Sequence, residues 1–264
     1  MIVDETWVFR FPRNAEAAAQ LAIEQALLPQ LALRLPLAIP NFTYACTAVD
    51  EWPFVGYRMI VGMPLRPSVL QAVPAAVRTT VAQQMAAFLQ ALHTFPVETA
   101  RRAAPELRRF SRAVFAQEYA VIEQVIFPLL NPDEREWIAV LFAGAADDVL
   151  WDFEPAIVHN DLSSSHILFD PNARRVAGVI DFGDIMLGDP AIDFVGLLEH
   201  GEAFVEAVLR SYARPLDDGF QRRLAFYYPR AWLIELRYHL EHANAERATS
   251  ILTHLHELIA ASIE

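Results

Sequence analysis

The stretch "IVHNDLSSSHILFD" at residues 157–170 and the stretch "GVIDFGD" at residues 178–184 decide how this chain folds. Apolar runs flank a polar centre in the first stretch, and an acidic residue ends the apolar run of the second. The first apolar run predicts a buried strand that ends at Val158, and the last predicts a strand that ends at Asp181. The sequence therefore predicts a polar loop held between buried strands.

Three of these polar residues are predicted to meet in space. If residues 166–170 and 176–180 form a hairpin, Asp161, His166 and Asp181 converge at one end of it. Two carboxylates and one imidazole suit a divalent metal site with a proton acceptor beside it. Asp and Ser are also common in loops as local caps, so any one of these residues alone is more often structural. The joint spacing favours a functional site.

The composition indicates a globular protein. The chain has 264 residues, a formal net charge of −12 and 21 basic residues, all of which are Arg. This acidic balance argues against nucleic acid as a partner and is compatible with a cationic small substrate. The N-terminus lacks the pattern of a signal peptide, and no apolar run is long enough to span a membrane. We expect a cytoplasmic protein without a membrane partner, whose oligomeric state stays open.

The periodicity predicts a small α/β segment followed by a mostly helical one. Its helical patterns have amphipathic spacing, and Asn14 and Asn131 are predicted to begin two of the helices. The predicted strands are residues 6–11, 42–49, 54–62, 157–158, 166–170 and 176–181, and the predicted helices are residues 14–32, 77–95, 110–130, 131–150, 193–212, 220–243 and 246–264.

The motif spacing resembles that of a kinase catalytic loop. An H-x-D triplet, a polar residue five positions after its Asp, and a D-F-G triplet stand here as His159-Asn160-Asp161, His166 and Asp181-Phe182-Gly183. The string "HNDLSSSHILFD…GVIDFGD…GDPAIDF" is similar to the aminoglycoside 2''-phosphotransferases of the aminoglycoside phosphotransferase family. The resemblance runs from about residue 3 to Trp232.

The resemblance implies an α+β, protein-kinase-like, two-lobed fold. We expect a nucleotide-binding lobe at residues 1–62 with a hinge at about residues 57–62, and a catalytic and substrate-binding helical lobe at residues 63–264. The first glycine is Gly56, so the first strands and the glycine-rich loop of the family are expected to be missing from the small lobe.

The resemblance assigns roles to the catalytic loop. Asp161 is expected to orient the substrate hydroxyl and accept its proton, since phosphoryl transfer depends mainly on positioning and charge. His166 and Asp181 are the expected Mg²⁺ ligands, although imidazole is a less natural partner of Mg²⁺ than oxygen. His159 is expected to brace the loop by hydrogen bonds.

Further acidic residues match the pattern "DFGD…DP…DF". The resemblance implies that Asp184 faces the acceptor, whereas Asp189 and Asp193 give structural support. Glu199 and Glu202 are predicted to share one helical face and to complete an anionic pocket, but a solvated acidic face explains them equally well.

Two aromatic residues of a later helix are also candidates. Trp232 is predicted to add an apolar wall to the acceptor site, together with Tyr228. The amphipathic helix that carries them could equally use both side chains as core.

The small lobe contains the expected nucleotide contacts. "WVFRFPR" resembles the strand that carries the phosphate-pairing Lys of kinases, with Arg10 in its place and Glu24 as its ion-pair partner; an ordinary surface pair is the alternative. "FVGYRMIVGMPL" resembles the hinge, with Tyr57 as gatekeeper and Ile60 against the base. Because a large aromatic gatekeeper goes with GTP use in the 2''-kinases, GTP is favoured over ATP.

The sequence thus predicts Mg²⁺-dependent transfer of a nucleotide γ-phosphate to a hydroxyl of an aminoglycoside or similar amino-sugar, as in antibiotic resistance. Two alternatives stay open. One keeps the chemistry and changes the acceptor to a macrolide or a choline-like metabolite. The other is a truncated, inactive kinase-like protein that only binds.

Overall fold

The computed structural model describes residues 1–46, 53–145, 147 and 151–263. The chain forms two compact units, and each unit is built from two separate parts of the sequence. The first unit comprises Met1–Arg109 and Pro155–Pro215, and the second comprises Phe110–Glu154 and Leu216–Glu264. All residues of the predicted catalytic loop belong to the first unit. The lobe boundary near residue 62 stays a prediction.

The first unit begins with a four-stranded antiparallel sheet. Aromatic and β-branched residues fill these strands, and such residues fit a pleated, half-buried surface. The predicted strands at residues 6–11, 42–49 and 54–62 are confirmed with shorter bounds, and residues 47–49 lie outside the described part. The strands are β1 (Ile2–Val3), β2 (Trp7–Arg10), β3 (Phe42–Cys46) and β4 (Phe54–Arg58), and they lie in the order β1-β2-β4-β3.

One long helix, α1 (Ala15–Ala32), follows β2. The Asn14 side chain caps it by accepting a hydrogen bond of 2.8 Å from the Ala17 N–H, as the sequence predicts. Leucines on one face of α1 are buried, and Glu24 is buried among them at 1% exposure. A charged residue in such a position needs a partner, which the site supplies.

Two small antiparallel sheets carry the catalytic loop. β5 (Met63–Pro64), β7 (Ile167–Asp170) and β8 (Arg175–Val179) form one sheet in the order β5-β7-β8. β6 (Ala156–Val158) pairs with β9 (Met186–Gly188) in the other. The predicted hairpin of β7 and β8 is therefore confirmed, and the catalytic loop joins the end of β6 to the start of β7.

Further helices complete the first unit: the long α3 (Ala75–His93), the shorter α2 (Pro67–Ala72), α4 (Val97–Ala103) and α7 (Glu202–Leu209), and the 3-10 helices Pro190–Phe194 and Gly196–His200. The prediction of one continuous helix over residues 193–212 is wrong. Gly201 has a φ of +88°, which ends the second 3-10 helix and starts α7 in a new direction.

The second unit is helical. It contains α5 (Ala113–Val125), the 3-10 helix Phe127–Leu129, α6 (Pro132–Gly144), α8 (Phe220–Glu241) and α9 (Ala245–Ile263). Asn131 begins α6 through a capping box with Glu134, as the sequence predicts. The aromatic rings of Phe115, Trp151 and Phe226 form its core, with centroids 5.0 to 5.8 Å apart. Within the described ranges, no helix is long and apolar enough to cross a membrane.

Candidate active site

The β7–β8 hairpin sets the positions of the site residues. Ile167 pairs with Val179, and the Ile180 N–H donates to the His166 carbonyl over 2.9 Å. His166 therefore lies one residue before β7, opposite the residue that precedes Asp181. This register brings the imidazole and the Asp181 carboxylate to the same end of the hairpin, as the sequence predicts.

Two residues of the site have left-handed backbone conformations. Asn160 has a φ of +67° and Asp181 has a φ of +64°. Asn and Asp tolerate this region better than other non-glycine residues, but the conformation still costs free energy. Strain of this kind persists only where surrounding contacts hold it, and it is common at functional sites.

The contact that holds the first of these turns comes from Asp193. Its side chain is fully buried and accepts hydrogen bonds from the His159 N–H at 2.9 Å and the Asn160 N–H at 2.8 Å. The His93 Nε2–H donates to the same carboxylate over 3.0 Å. Three donors thus satisfy a buried charge beneath the loop, which supports the predicted structural role of Asp193. Asp189 caps the 3-10 helix that carries Asp193, because its carboxylate accepts a hydrogen bond of 3.0 Å from the Ala191 N–H.

His159 is buried and fixes the loop from inside. Its Nε2–H donates to the Ile180 carbonyl over 3.0 Å, and its Nδ1 accepts from the Asp161 N–H over 3.3 Å. This arrangement needs the neutral ring, and burial lowers the pKa of His159. The bonds join the strand that ends near Asp181 to the backbone of Asp161, so they support the predicted bracing role.

A close backbone approach also positions the loop. A Cβ atom at Gly196 would lie only 2.1 Å from the Leu162 carbonyl oxygen. Glycine is therefore required where the second 3-10 helix packs on the loop that carries Asp161.

Asp161 differs from the buried residues around it. Its side chain is 47% exposed, and its N–H is bonded to His159 as described above. Burial raises the pKa of Asp161 to about 6; His166 opposes this shift, and the negative charges of Asp184, Asp181 and Glu199 add to it. A carboxylate with a pKa of about 6 is well suited to accept a proton near neutral pH.

His166 lies between the two carboxylates of the motif. Its Nδ1–H donates to the Asp161 carbonyl over 2.8 Å, and Nδ1 is 3.3 Å from Asp161 Oδ2. In the neutral ring with the proton on Nδ1, Nε2 presents its lone pair, 3.7 Å from Asp181 Oδ2. The tautomer thus leaves Nε2 free to act as a ligand.

The residues present fit Mg²⁺ better than a metal that needs a closed protein cage. No cluster of three or more His, Cys, Asp or Glu side chains arranged to hold a metal occurs in the described part of the chain. Mg²⁺ is usually bound by one or two protein carboxylates, with water and substrate phosphates completing its shell. Asp181, with His166 Nε2 beside it, is a donor set of that open kind.

An ion pair between Arg10 of β2 and Glu24 of α1 lies beside Asp181. Arg10 Nη1 lies 2.5 Å from Glu24 Oε2, and Arg10 Nη2 lies 3.5 Å from Asp181 Oδ1. Burial raises the pKa of Glu24 to about 7, although Arg10 opposes this. The pair is therefore not an ordinary surface pair, since Glu24 is buried and Arg10 reaches the motif carboxylate.

Tyr57 and Ile60 lie where β4 ends. Tyr57 is buried at 6% exposure, and its ring centroid is 5.8 Å from that of Phe42. Ile60 is half-buried, and its Cγ2 would lie 3.0 Å from a Cβ added at Gly178 of β8. Both positions are compatible with the expected hinge, and their contact with a nucleotide stays a prediction.

Arg108 is a residue that sequence reasoning missed. Arg108 Nη2 lies 2.8 Å from Asp184 Oδ1 and donates to the Gly183 carbonyl over 3.5 Å. The segment that carries Arg108 joins β9 through a hydrogen bond of 2.8 Å from the Leu187 N–H to the Arg108 carbonyl. This contact is distant in sequence, and no local pattern marks it.

The remaining predicted acceptor residues are not grouped as the sequence suggests. Glu199 lies in the second 3-10 helix and accepts a hydrogen bond from the Ser164 Oγ–H. Glu202 is exposed at the start of α7, beyond the turn at Gly201, so a shared helical face is wrong. Trp232 belongs to the second unit, where its ring centroid is 4.3 Å from that of His254. Its role towards an acceptor stays a prediction.

Comparison with known proteins identifies the family. The chain matches the model of the phosphotransferase enzyme family over residues 2–231. It belongs to that family. The phosphotransferase is 33% identical over 217 residues to viomycin phosphotransferase of Streptomyces vinaceus. The aligned region covers 79% of this chain and 73% of the relative. It is 29% identical to an aminoglycoside 3'-phosphotransferase of Streptomyces fradiae, over 58% of this chain and 59% of the relative.

Solved structures confirm the predicted α+β, kinase-like fold. An aminoglycoside 2''-phosphotransferase in complex with GDP and kanamycin has a TM-score of 0.89 at 30% identity, covering 99% of this chain and 89% of that one. A macrolide 2'-phosphotransferase has a TM-score of 0.72 at 25% identity, covering 94% of this chain and 83% of that one. The chain is therefore a small-molecule O-phosphotransferase, as the sequence predicts.

Proposed function

We propose that this phosphotransferase moves the γ-phosphate of a nucleoside triphosphate to a hydroxyl of a cationic antibiotic of the aminoglycoside class. The observation that carries the proposal is the Asp161 carboxylate, which is half-exposed and has a pKa raised to about 6. The loop that contains Asp161 is held by hydrogen bonds to the buried side chains of His159 and Asp193.

Asp161 would act directly on the acceptor. Its carboxylate would accept a hydrogen bond from the attacking hydroxyl and take its proton as the new oxygen–phosphorus bond forms. The bond from the γ-phosphorus to the oxygen that bridges the β- and γ-phosphates would break at the same time and release the nucleoside diphosphate. The buried contacts of His159 and Asp193 fix the backbone at Asp161 before substrate binds. Such preorganisation matters because phosphoryl transfer depends on aligning the attacking oxygen with the phosphate.

The phosphates would meet a cation and a metal site on the other side of the motif. The Arg10 guanidinium, held by Glu24, can donate two hydrogen bonds to phosphate oxygens and always carries charge. Asp181 and His166 Nε2 would hold Mg²⁺, which when bound supplies positive charge to the phosphates.

The charge around Asp161 supports a cationic acceptor. Asp161, Asp181, Asp184 and Glu199 lie near enough for each to affect the pKa of the first. An ammonium-bearing acceptor would neutralise part of this negative charge, whereas a neutral acceptor would not. A 30%-identical neighbour in structure binds kanamycin, which supports an aminoglycoside.

A viomycin-type antibiotic is the second candidate acceptor. The supporting observation is the 33% identity to viomycin phosphotransferase, which extends over 79% of this chain. Both candidates share the proposed chemistry at Asp161 and differ only in what occupies the acceptor site.

GTP is the proposed phosphate donor. Tyr57 is a large, buried aromatic residue at the expected gatekeeper position, and 30%-identical neighbours form complexes with GDP. Ile60 would contact the base beyond it.

The test is a phosphorylation screen with purified protein, Mg²⁺, GTP or ATP, and kanamycin, gentamicin or viomycin as acceptor. We expect a phosphorylated product with at least one cationic acceptor, and faster turnover with GTP. Nucleotide binding without transfer to any acceptor would contradict the proposal and favour a kinase-like protein that only binds.

A further inference from the structure

Asp184, the carboxylate of the motif that is expected to face the acceptor, is already paired with a cation of the chain. Arg108 Nη2 is 2.8 Å from Asp184 Oδ1, and the two side chains are 44% and 52% exposed. An ion pair this exposed stabilises a protein very little, because water competes for both charges. An incoming ammonium group could therefore replace the guanidinium at small cost.

The backbone of Arg108 is held independently of this ion pair. Its carbonyl accepts from the Leu187 N–H, and the next residue, Arg109, forms a bridge to Leu187 of β9. The position of residue 108 beside the motif is thus set by main-chain contacts. The side chain can be exchanged without removing them.

A cleft of about 440 Å³ opens beside the pair. It is lined by the first turns of α1 and by the acidic side chains of Glu16, Glu106 and Asp184. Among the described residues that line it, Arg108 is the one cationic side chain. The guanidinium therefore lies among several carboxylates that could also bind a positively charged group of a ligand.

We propose that Arg108 is a specificity-determining residue, whose guanidinium occupies Asp184 until an ammonium group of the acceptor displaces it. This inference rests on the proposed function, because it assumes a cationic acceptor that uses Asp184. It adds a requirement to that function. An acceptor must bring a cationic group to Asp184 to displace the internal cation, so molecules without such a group are selected against.

The effect should fall on acceptor binding. Removing the guanidinium frees Asp184, so the KM for a cationic acceptor should decrease by about two- to fivefold, the range expected for one exposed ion pair. The kcat and the KM for GTP should stay unchanged, since Arg108 touches neither Asp161 nor the phosphate-binding residues in the described contacts.

The experiment compares Arg108→Gln with the wild type, using kanamycin and GTP under initial-rate conditions. Arg101→Gln is the matched control, because Arg101 pairs with Glu98 on exposed α4 and its loss changes the net charge equally. Arg108→Lys keeps the cation and should keep the KM near the wild-type value. In an Asp184→Asn background, Arg108→Gln should change nothing.

The outcomes separate the inference from the proposed function. A lower KM for kanamycin in Arg108→Gln alone supports the inference. An unchanged or higher KM, or an equal decrease in Arg101→Gln, overturns it while the proposed function stands. If the wild type neither binds nor phosphorylates kanamycin, the aminoglycoside proposal fails and the inference fails with it. If Arg108→Gln does not fold, the variants Arg108→Lys and Asp184→Asn decide the matter. A KM for kanamycin in Arg108→Lys far from the wild-type value overturns the inference. A KM near the wild-type value in Arg108→Lys, together with a changed KM in Asp184→Asn, supports it.

Discussion

Asp193 lies beneath the loop that follows β6 and Asp161 belongs to that loop, and the surroundings of the two carboxylates differ. Asp193 has no exposed surface and accepts from two backbone N–H groups and from His93. Asp161 is 47% exposed, and its pKa is raised to about 6. A carboxylate whose oxygens are all bonded cannot accept a further proton cheaply, whereas a half-exposed carboxylate with a raised pKa can. The two carboxylates thus differ in role: Asp193 holds the loop, and Asp161 is the residue that we propose to react.

Asp161→Asn gives the largest expected effect. The amide keeps the shape of the side chain but cannot accept the proton of the acceptor hydroxyl, so kcat should fall by about 10² to 10⁴. GTP binding should stay near the wild-type value, because the Arg10 and Asp181 side is untouched. Steady-state kinetics and calorimetry check the two parts, and a kcat within tenfold of wild type would remove Asp161 from the reaction.

Asp193→Asn should act on stability instead. An amide cannot serve all three donors that Asp193 satisfies, so the free energy of unfolding should decrease by about 2–4 kcal/mol. Denaturant unfolding measures the change. Asp184→Asn is the control, because that exposed carboxylate should contribute about 1 kcal/mol or less. Equal losses in the two variants would show that burial does not distinguish these carboxylates.

The pH dependence tests the raised pKa of Asp161. The carboxylate must be ionised to accept a proton, so kcat/KM should fall about tenfold per pH unit as the pH drops below about 6. Above that pH it should level off, until another group titrates. A limb centred near the ordinary value for Asp, about 4, would contradict the environment described for this carboxylate.

Tyr57→Leu should give the smallest effect. A smaller side chain at the expected gatekeeper position opens space beside the base, so the ratio of kcat/KM for ATP to that for GTP should increase about three- to tenfold. Competition between the two nucleotides gives this ratio directly. An unchanged ratio would mean that Tyr57 is a core residue of β4 without influence on the nucleotide.

The sequence predicts the local part of this site well and the long-range part poorly. His159, Asp161, His166 and Asp181 belong to one hairpin and the loop before it, so spacing and strand register are enough to bring them together. Asn14 is likewise a local cap of α1. These contacts depend on backbone geometry within a short segment, which residue patterns describe directly.

The residue pattern of the sequence did not predict contacts between segments that are distant along the chain. The pairing of Arg108 with Asp184 depends on a main-chain bond to β9 that no periodicity shows. Helical spacing also hides the turn at Gly201, since residues on both sides of it are helical. A positive φ at glycine is an allowed conformation, not a required one, so the sequence alone could not place Glu199 and Glu202 on different helices.

The most direct test of this division is the phosphotransfer rate at saturating acceptor for Asp161→Asn and Asp193→Asn, each expressed per folded molecule. If Asp193 only holds the loop, its variant should stay within about tenfold of wild type well below its unfolding temperature, while Asp161→Asn loses about 10² to 10⁴. Equal losses in both folded variants would contradict the separation of a holding residue from a reacting one.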